Sequence, residues 1–300
     1  MQPAQTTTPD TAAPNLGPAT PAATRGITGF TLKLAALAGM TANHVAHAFI
    51  AQLPVFAAEA LYWLGGITFP IMAFLLVEGY RHTSSVPRYL ARLLAFAALS
   101  QAPFTLLFGW TGNIFFTLAI GLAVVWIWDA APARAAGPAA LAAGLAASLL
   151  CDWAVLGPTM VFAFWRLRAH PRGVLLTMLI PFATMAIPAA FGIAEAFALA
   201  NGSGSSAPAA DLANAAGFLA SFQQFADATR MAGLPLEFTN VLFTQVCQLG
   251  YALVGFALAT VLLLRYNGRR GRPLKWAFYL YYPAHLLVIW LVREALAALA

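Results

Sequence analysis

Nine apolar runs, separated by short polar or basic stretches, set the rhythm of the chain. They cover about residues 30–50, 61–78, 89–108, 114–130, 139–151, 153–165, 174–194, 241–264 and 276–296. A helix needs roughly 20 apolar residues to cross a hydrocarbon core, and most of the runs approach that length. The fifth and sixth are shorter, which fits tilted or partly re-entrant helices. The pattern predicts an all-α fold, a polytopic transmembrane helical bundle of about nine spans, with eight to ten allowed by the run boundaries.

Basic residues fall in alternate gaps. Arg81, Arg88 and Arg92 follow the second run, Arg134 the fourth, and Arg166, Arg168 and Arg172 the sixth; Arg265, Arg269, Arg270, Arg272 and Lys275 follow the eighth. With Arg25 and Lys33 on the same side, the positive-inside rule puts every basic cluster and the N-terminus in the cytoplasm. The expected location is the bacterial inner membrane. Residues 1–28 are rich in Pro, Thr and Ala and lack the apolar segment of a signal peptide, so a disordered cytoplasmic tail is expected. Residues 29–300 then form the transmembrane domain, with an extracytoplasmic loop at about 195–240. In that loop Phe218, Phe222 and Phe225 have the spacing of an interfacial helix.

Composition agrees with a membrane protein. Hydrophobic residues make up 61%, charged residues 9%, and mean hydropathy is +0.76. A soluble domain would carry roughly a quarter charged residues. The net charge of +6 sits in the short loops, so it reads as a topology signal rather than a nucleic-acid surface. Cys151 and Cys247 make neither a disulfide framework nor a metal site, and no phosphate loop or zinc spacing occurs.

The polar exceptions carry the candidate chemistry. Lys33 and His44 are eleven residues apart, close to three helical turns, so they share one stripe of the first run. The lysine falls at the membrane edge and the histidine roughly 16 Å deeper. Ionisable groups at that depth cost several kcal/mol and usually serve a function; the alternative is a structural histidine bonded to a neighbouring helix. At the end of the second run, Glu78, Arg81 and His82 share a helix face, and Pro70 is expected to bend the span before them. With Lys33, Arg88 and Arg92 they form a cationic mouth suited to a phosphorylated ligand, although Arg88 and Arg92 fit lipid anchors better. His285 lies ten residues beyond Lys275, so two midplane histidines on separate helices can face one cavity. Gln101, Asn113 and Asp152 are further polar groups, for substrate or for interhelical bonding; Asp152 is placed at the outer interface.

Six stretches carry a resemblance: LKLAALAGMTANHVAH (32–47), FPIMAFLLVEGYRHT (69–83), LARLLAFAALSQAPF (90–104), NIFFTLAIGL (113–122), CDWAVLG (151–157) and RYNGRRGRPLKWAFYLYYPAHLL (265–287). In these the chain resembles the TraX family of integral membrane acetyltransferases. The spacing of Lys33 and His44 also resembles the first-helix motif of acyltransferase family 3. The TraX resemblance implies transfer of an acetyl group from cytosolic acetyl-CoA to an acceptor at or across the membrane, namely the N-terminal amine of a pilin. It implies no metal. By motif position it makes His44, Glu78 and His285 catalytic, and gives Lys33, Arg81, His82 and Lys275 to the acetyl-CoA donor. The family carries Asp before the first-span histidine where this chain has Asn43. Asn43 points about 100° away from His44 and is not expected to orient it; Glu78 or Asp152 can supply the missing carboxylate. Membrane lipids are the other expected partners, and nucleic acid is not one. O-acetylation of a surface glycan is the rival reaction, and a proton-coupled transporter using the same buried His and Glu is the rival of another class.

Overall fold

The computed structural model describes residues 26–130, 134–200, 236–273 and 275–299. The expected tail and the Phe218–Phe225 helix lie almost wholly or wholly outside these residues. The helices are α1 (Gly29–Ala48), α2 (Val55–Gly65), α3 (Thr68–His82), α4 (Val86–Phe108), α5 (Ile114–Ala130) and α6 (Ala136–Ser148). After them come α7 (Leu156–Arg166), α8 (Gly173–Ala200), α9 (Leu236–Gly250), a π-helical segment (Tyr251–Phe256), α10 (Ala257–Leu264) and α11 (Lys275–Leu299). This is an all-α membrane fold, and among the described residues five helical stretches are long and apolar enough to cross a bilayer. Large apolar side chains such as Leu99, Leu179, Phe191 and Val288 point outward, as a lipid-facing surface requires.

Local chemistry explains where the helices start. The Thr28 hydroxyl accepts from the Thr31 N–H and opens α1. Ser85 does the same for Arg88 at the head of α4, where Pro87 occupies a position that needs no donor. The Asn113 carboxamide oxygen accepts from the Phe115 N–H and starts α5. Its amide nitrogen donates to the Ala97 carbonyl and to Gln101, whose own amide donates to Thr105 and to the Thr111 carbonyl. Gln101 and Asn113 therefore lock the corner between α4 and α5.

One end of the bundle is basic. The segment before α1 bonds to the loop after α10, with Ile27 N–H donating to Arg265 O and Gly29 N–H to Arg269 O. Tyr80 at the end of α3 donates to Asp129 at the end of α5 at 2.7 Å. The start of α4 joins them, since Tyr89 packs on Gly79.

Two features depart from the sequence reading. The second run breaks at Gly66–Ile67, not at Pro70, which sits harmlessly in the first turn of α3. The cause is close packing: a Cβ on Gly66 would lie 2.8 Å from the Gly255 Cα. Gly255 belongs to the π-helical segment, an interruption the apolar run 241–264 did not announce. Small residues let two backbones meet here, which is how helices associate without a hydrophobic drive.

Candidate functional site

His44 on α1 and His285 on α11 are both buried and meet directly, His44 Nδ1 lying 2.8 Å from His285 Nε2. The rings are nearly parallel, with an interplanar angle of 12°. The other ring nitrogen of His285, Nδ1, lies 3.0 Å from the Tyr281 carbonyl. A carbonyl only accepts, so His285 carries its proton on Nδ1 and presents a lone pair at Nε2. His44 must then donate from Nδ1, which leaves the lone pair of its own Nε2 unused. Two uncharged imidazoles thus leave a single free base, on His44. Pro283 omits one rung of the α11 ladder in this same turn. Thr41 and Tyr281, bonded at 2.7 Å, fasten α1 to α11 one turn nearer the basic end.

His44 faces a small chamber of about 30 Å³. Asn43, Thr68, Asp152 and Tyr251 share its wall, and Gly65 lies hard against the Asn43 side chain. Asn43 shares the chamber with His44, because the adjacent turn of α2 folds over both residues. Asp152 departs from the sequence expectation: it is not at an outer interface. Its loop turns back inside the bundle, since α6 and α7 are both short, and Cys151 pairs with Gly112 in the α4–α5 corner. The Thr117 hydroxyl donates to the Asp152 carbonyl. Trp153 and Ala154 adopt positive φ of 62° and 26°, a conformation side chains resist and tertiary packing must hold. The Trp153 ring stacks on Phe69 at 4.5 Å, which supplies that hold.

A second cavity, of about 460 Å³, runs from the basic end to the chamber. Met40, Ile114 and Tyr282 line both spaces and form the neck between them. Lys33, Arg92 and Arg270 bring positive charge to the wide part, with Glu78 as its acid and His82 beside it. The Lys33 ammonium sits 5.2 Å above the Phe278 ring, and the Arg92 guanidinium 5.4 Å from that of Tyr89. Nε of Arg92 is buried without a hydrogen-bond partner. In the loop beyond, burial and then the Glu78 carboxylate push the Tyr266 phenol up from its ordinary value.

The structure sorts the residues singled out from sequence. It brings His44 and His285 together, adds Asp152, and puts Lys33, Glu78 and His82 in the large cavity. Arg81 stays out of that wall: its guanidinium pairs with Glu78 at 2.9 Å and is half exposed. Lys275 begins α11, and its side chain lies outside the described residues. Sequence reasoning favoured a lipid anchor for Arg92 and did not single out Arg270, Tyr251 or Tyr282. A signal existed for Arg92, because Tyr89, Arg92 and Phe96 stand at i, i+3, i+7 beside the buried face of Leu93 and Ala97.

Comparison with known proteins agrees with this arrangement of motifs. The chain is 31% identical over 142 residues to a probable fimbrial assembly protein FimC, serogroup H1, of Dichelobacter nodosus. That match covers 42% of this chain and 57% of the relative, so the chain spans little more than half of its length. No solved structure matches. The profile of the family described as TraX protein matches residues 28–214 and 218–293, which takes in both histidines, the neck and the basic mouth, and the chain belongs to the TraX family.

Proposed function

We propose that the protein transfers an acetyl group from acetyl-CoA to the N-terminal amine of a pilin, with its basic end facing the cytosol of a cell bounded by an inner membrane. The observation that carries this reading is the His44–His285 pair, placed beside the neck of a cavity with a cationic mouth. A free imidazole nitrogen suits removal of a proton from an attacking amine near neutral pH. His285 fixes the tautomer and orientation of that base. Lys33, His82, Arg92 and Arg270 suit the phosphates of the donor, and the aromatic walls suit its pantetheine arm. The 460 Å³ space holds only part of CoA, so the nucleotide would rest at the mouth. In the reaction the amine nitrogen bonds to the thioester carbon, His44 Nε2 takes its proton, and the carbon–sulfur bond breaks. The departing sulfur then receives that proton. The relative named for fimbrial assembly favours a pilin acceptor over a glycan.

Purified protein, labelled acetyl-CoA and a pilin N-terminal peptide provide the test. Labelled peptide is expected from wild type. His44→Ala should lower the rate by about 10²–10⁴ with an unchanged melting profile, and His285→Ala should cost less, because it removes an orienting group. Wild-type protein that transfers no label to amine or glycan acceptors would leave the transporter reading in its place.

A further inference from the structure

Tyr282 has no task in the account above, yet it occupies the neck. Its side chain is 2% exposed, and its hydroxyl is buried with no hydrogen-bond partner. A hydroxyl left without a partner inside a membrane bundle is costly, so its retention calls for a reason. The residue lines both the large cavity and the His44 chamber. A second observation converges on the same place. Helix α5 begins at Ile114, inside the bundle at the level of the Asp152 turn, and Ile114 also lines both spaces. The first N–H groups of a helix carry its positive end, and here those of Phe115 and Phe116 are taken by Asn113, which leaves that of Ile114. The Ile114 N–H faces the Tyr282 oxygen, but no hydrogen bond closes on that hydroxyl. The His44 ring touches that of Tyr282 in a tilted contact, with centroids 6.2 Å apart. The acyl group would therefore lie in the space that Tyr282 and Ile114 line on the cavity side, next to the His44 chamber.

We infer that the Tyr282 hydroxyl and the Ile114 N–H at the start of α5 form an oxyanion site for the acyl carbonyl oxygen; this rests on the acetyl-transfer reading. As the amine attacks, the carbonyl π electrons move to oxygen, and the Tyr282 O–H donates a hydrogen bond to it without giving up its proton. Collapse of the tetrahedral intermediate returns that electron pair to the C=O bond and expels the sulfur. Tyr282 is held for the task by Phe115, an edge contact at 4.9 Å, and by the His285 ring at 5.4 Å.

Tyr282→Phe keeps the ring and removes only the hydroxyl. It is expected to lower kcat by about 10²–10³ with the KM for acetyl-CoA nearly unchanged. Ile114→Pro removes one N–H at a helix position that tolerates proline, and should act in the same direction. A readout independent of turnover is the carbonyl stretch of bound acetyl-CoA, by isotope-edited difference infrared spectroscopy in the inactive His44→Ala background. A lower frequency than in water, restored toward the aqueous value by Tyr282→Phe, is the expected result. A carbonyl frequency that Tyr282→Phe leaves unchanged overturns the oxyanion site alone. Failure of acetyl-CoA to bind overturns both this inference and the acetyl-transfer reading.

Discussion

Arg81 and Arg92 carry the same charge eleven residues apart and have opposite surroundings. Arg81 is half exposed and already paired with Glu78, while Arg92 leans on Tyr89 in the cavity wall with an unpartnered Nε. An exposed pair with an i, i+3 spacing contributes only a few tenths of a kcal/mol. Arg81→Lys should therefore change acetyl-CoA kinetics little. Arg92→Lys keeps the charge but loses the planar fork, and should raise the KM for acetyl-CoA several-fold with kcat nearly constant. Steady-state kinetics on the two variants check this; equal effects would remove Arg92 from the donor site. The histidines were legible in the sequence because an ionisable residue in an apolar run needs a reason. Arg92 and Tyr282 were not, because the positive-inside rule already accounts for an arginine and membrane packing for a tyrosine. Only the position of a hydrogen-bonding atom relative to a cavity distinguishes them.

At the scale of elements, apolar runs map onto helices wherever a run is uninterrupted. Runs 89–108 and 114–130 closely match α4 and α5, because capping residues and glycine mark their ends. The breaks inside runs escape the pattern, since they arise from a neighbour. Gly66 and Gly255 are far apart in sequence, and neither interrupts hydropathy; their mutual approach separates α2 from α3 and meets the π-helical segment that delivers Tyr251 to the chamber. π-Helical turns of this kind often mark functional sites. A Cβ at Gly255 would stand 2.5 Å from the Gly66 Cα and 2.6 Å from the Trp63 carbonyl, both backbone atoms that cannot swing aside. Gly255→Ala should cost about 1–3 kcal/mol of stability, read as a lower melting temperature in detergent. It should also impair transfer by shifting Tyr251. An unchanged melting profile would mean that the crossing is looser than described.

For the molecule as a whole, the alternating basic loops predict which side each faces. With Cys151 and Cys247 replaced, single cysteines at Ser205 and Asn267 are expected to react with an impermeant thiol reagent from opposite faces of intact cells; labelling from one face would sink the nine-span arrangement. Fold class was readable because a bilayer imposes a length rule on every span. The half-depth turn at Asp152 was only hinted at by short runs, since sequence length cannot tell a tilted helix from a re-entrant one. That turn also sets a ruler for the acceptor. Gly65, beside the chamber, lies roughly 15 Å along α2 from Val55 at the end away from the basic mouth. At about 3.3 Å per extended residue, a chain entering from that end must spend roughly four or five residues to bring its terminal amine to His44. Under the acetyl-transfer proposal, four or five residues wound into a helix would cover only about half of that distance, so the proposed pilin acceptor would have to present a frayed end or a longer free segment.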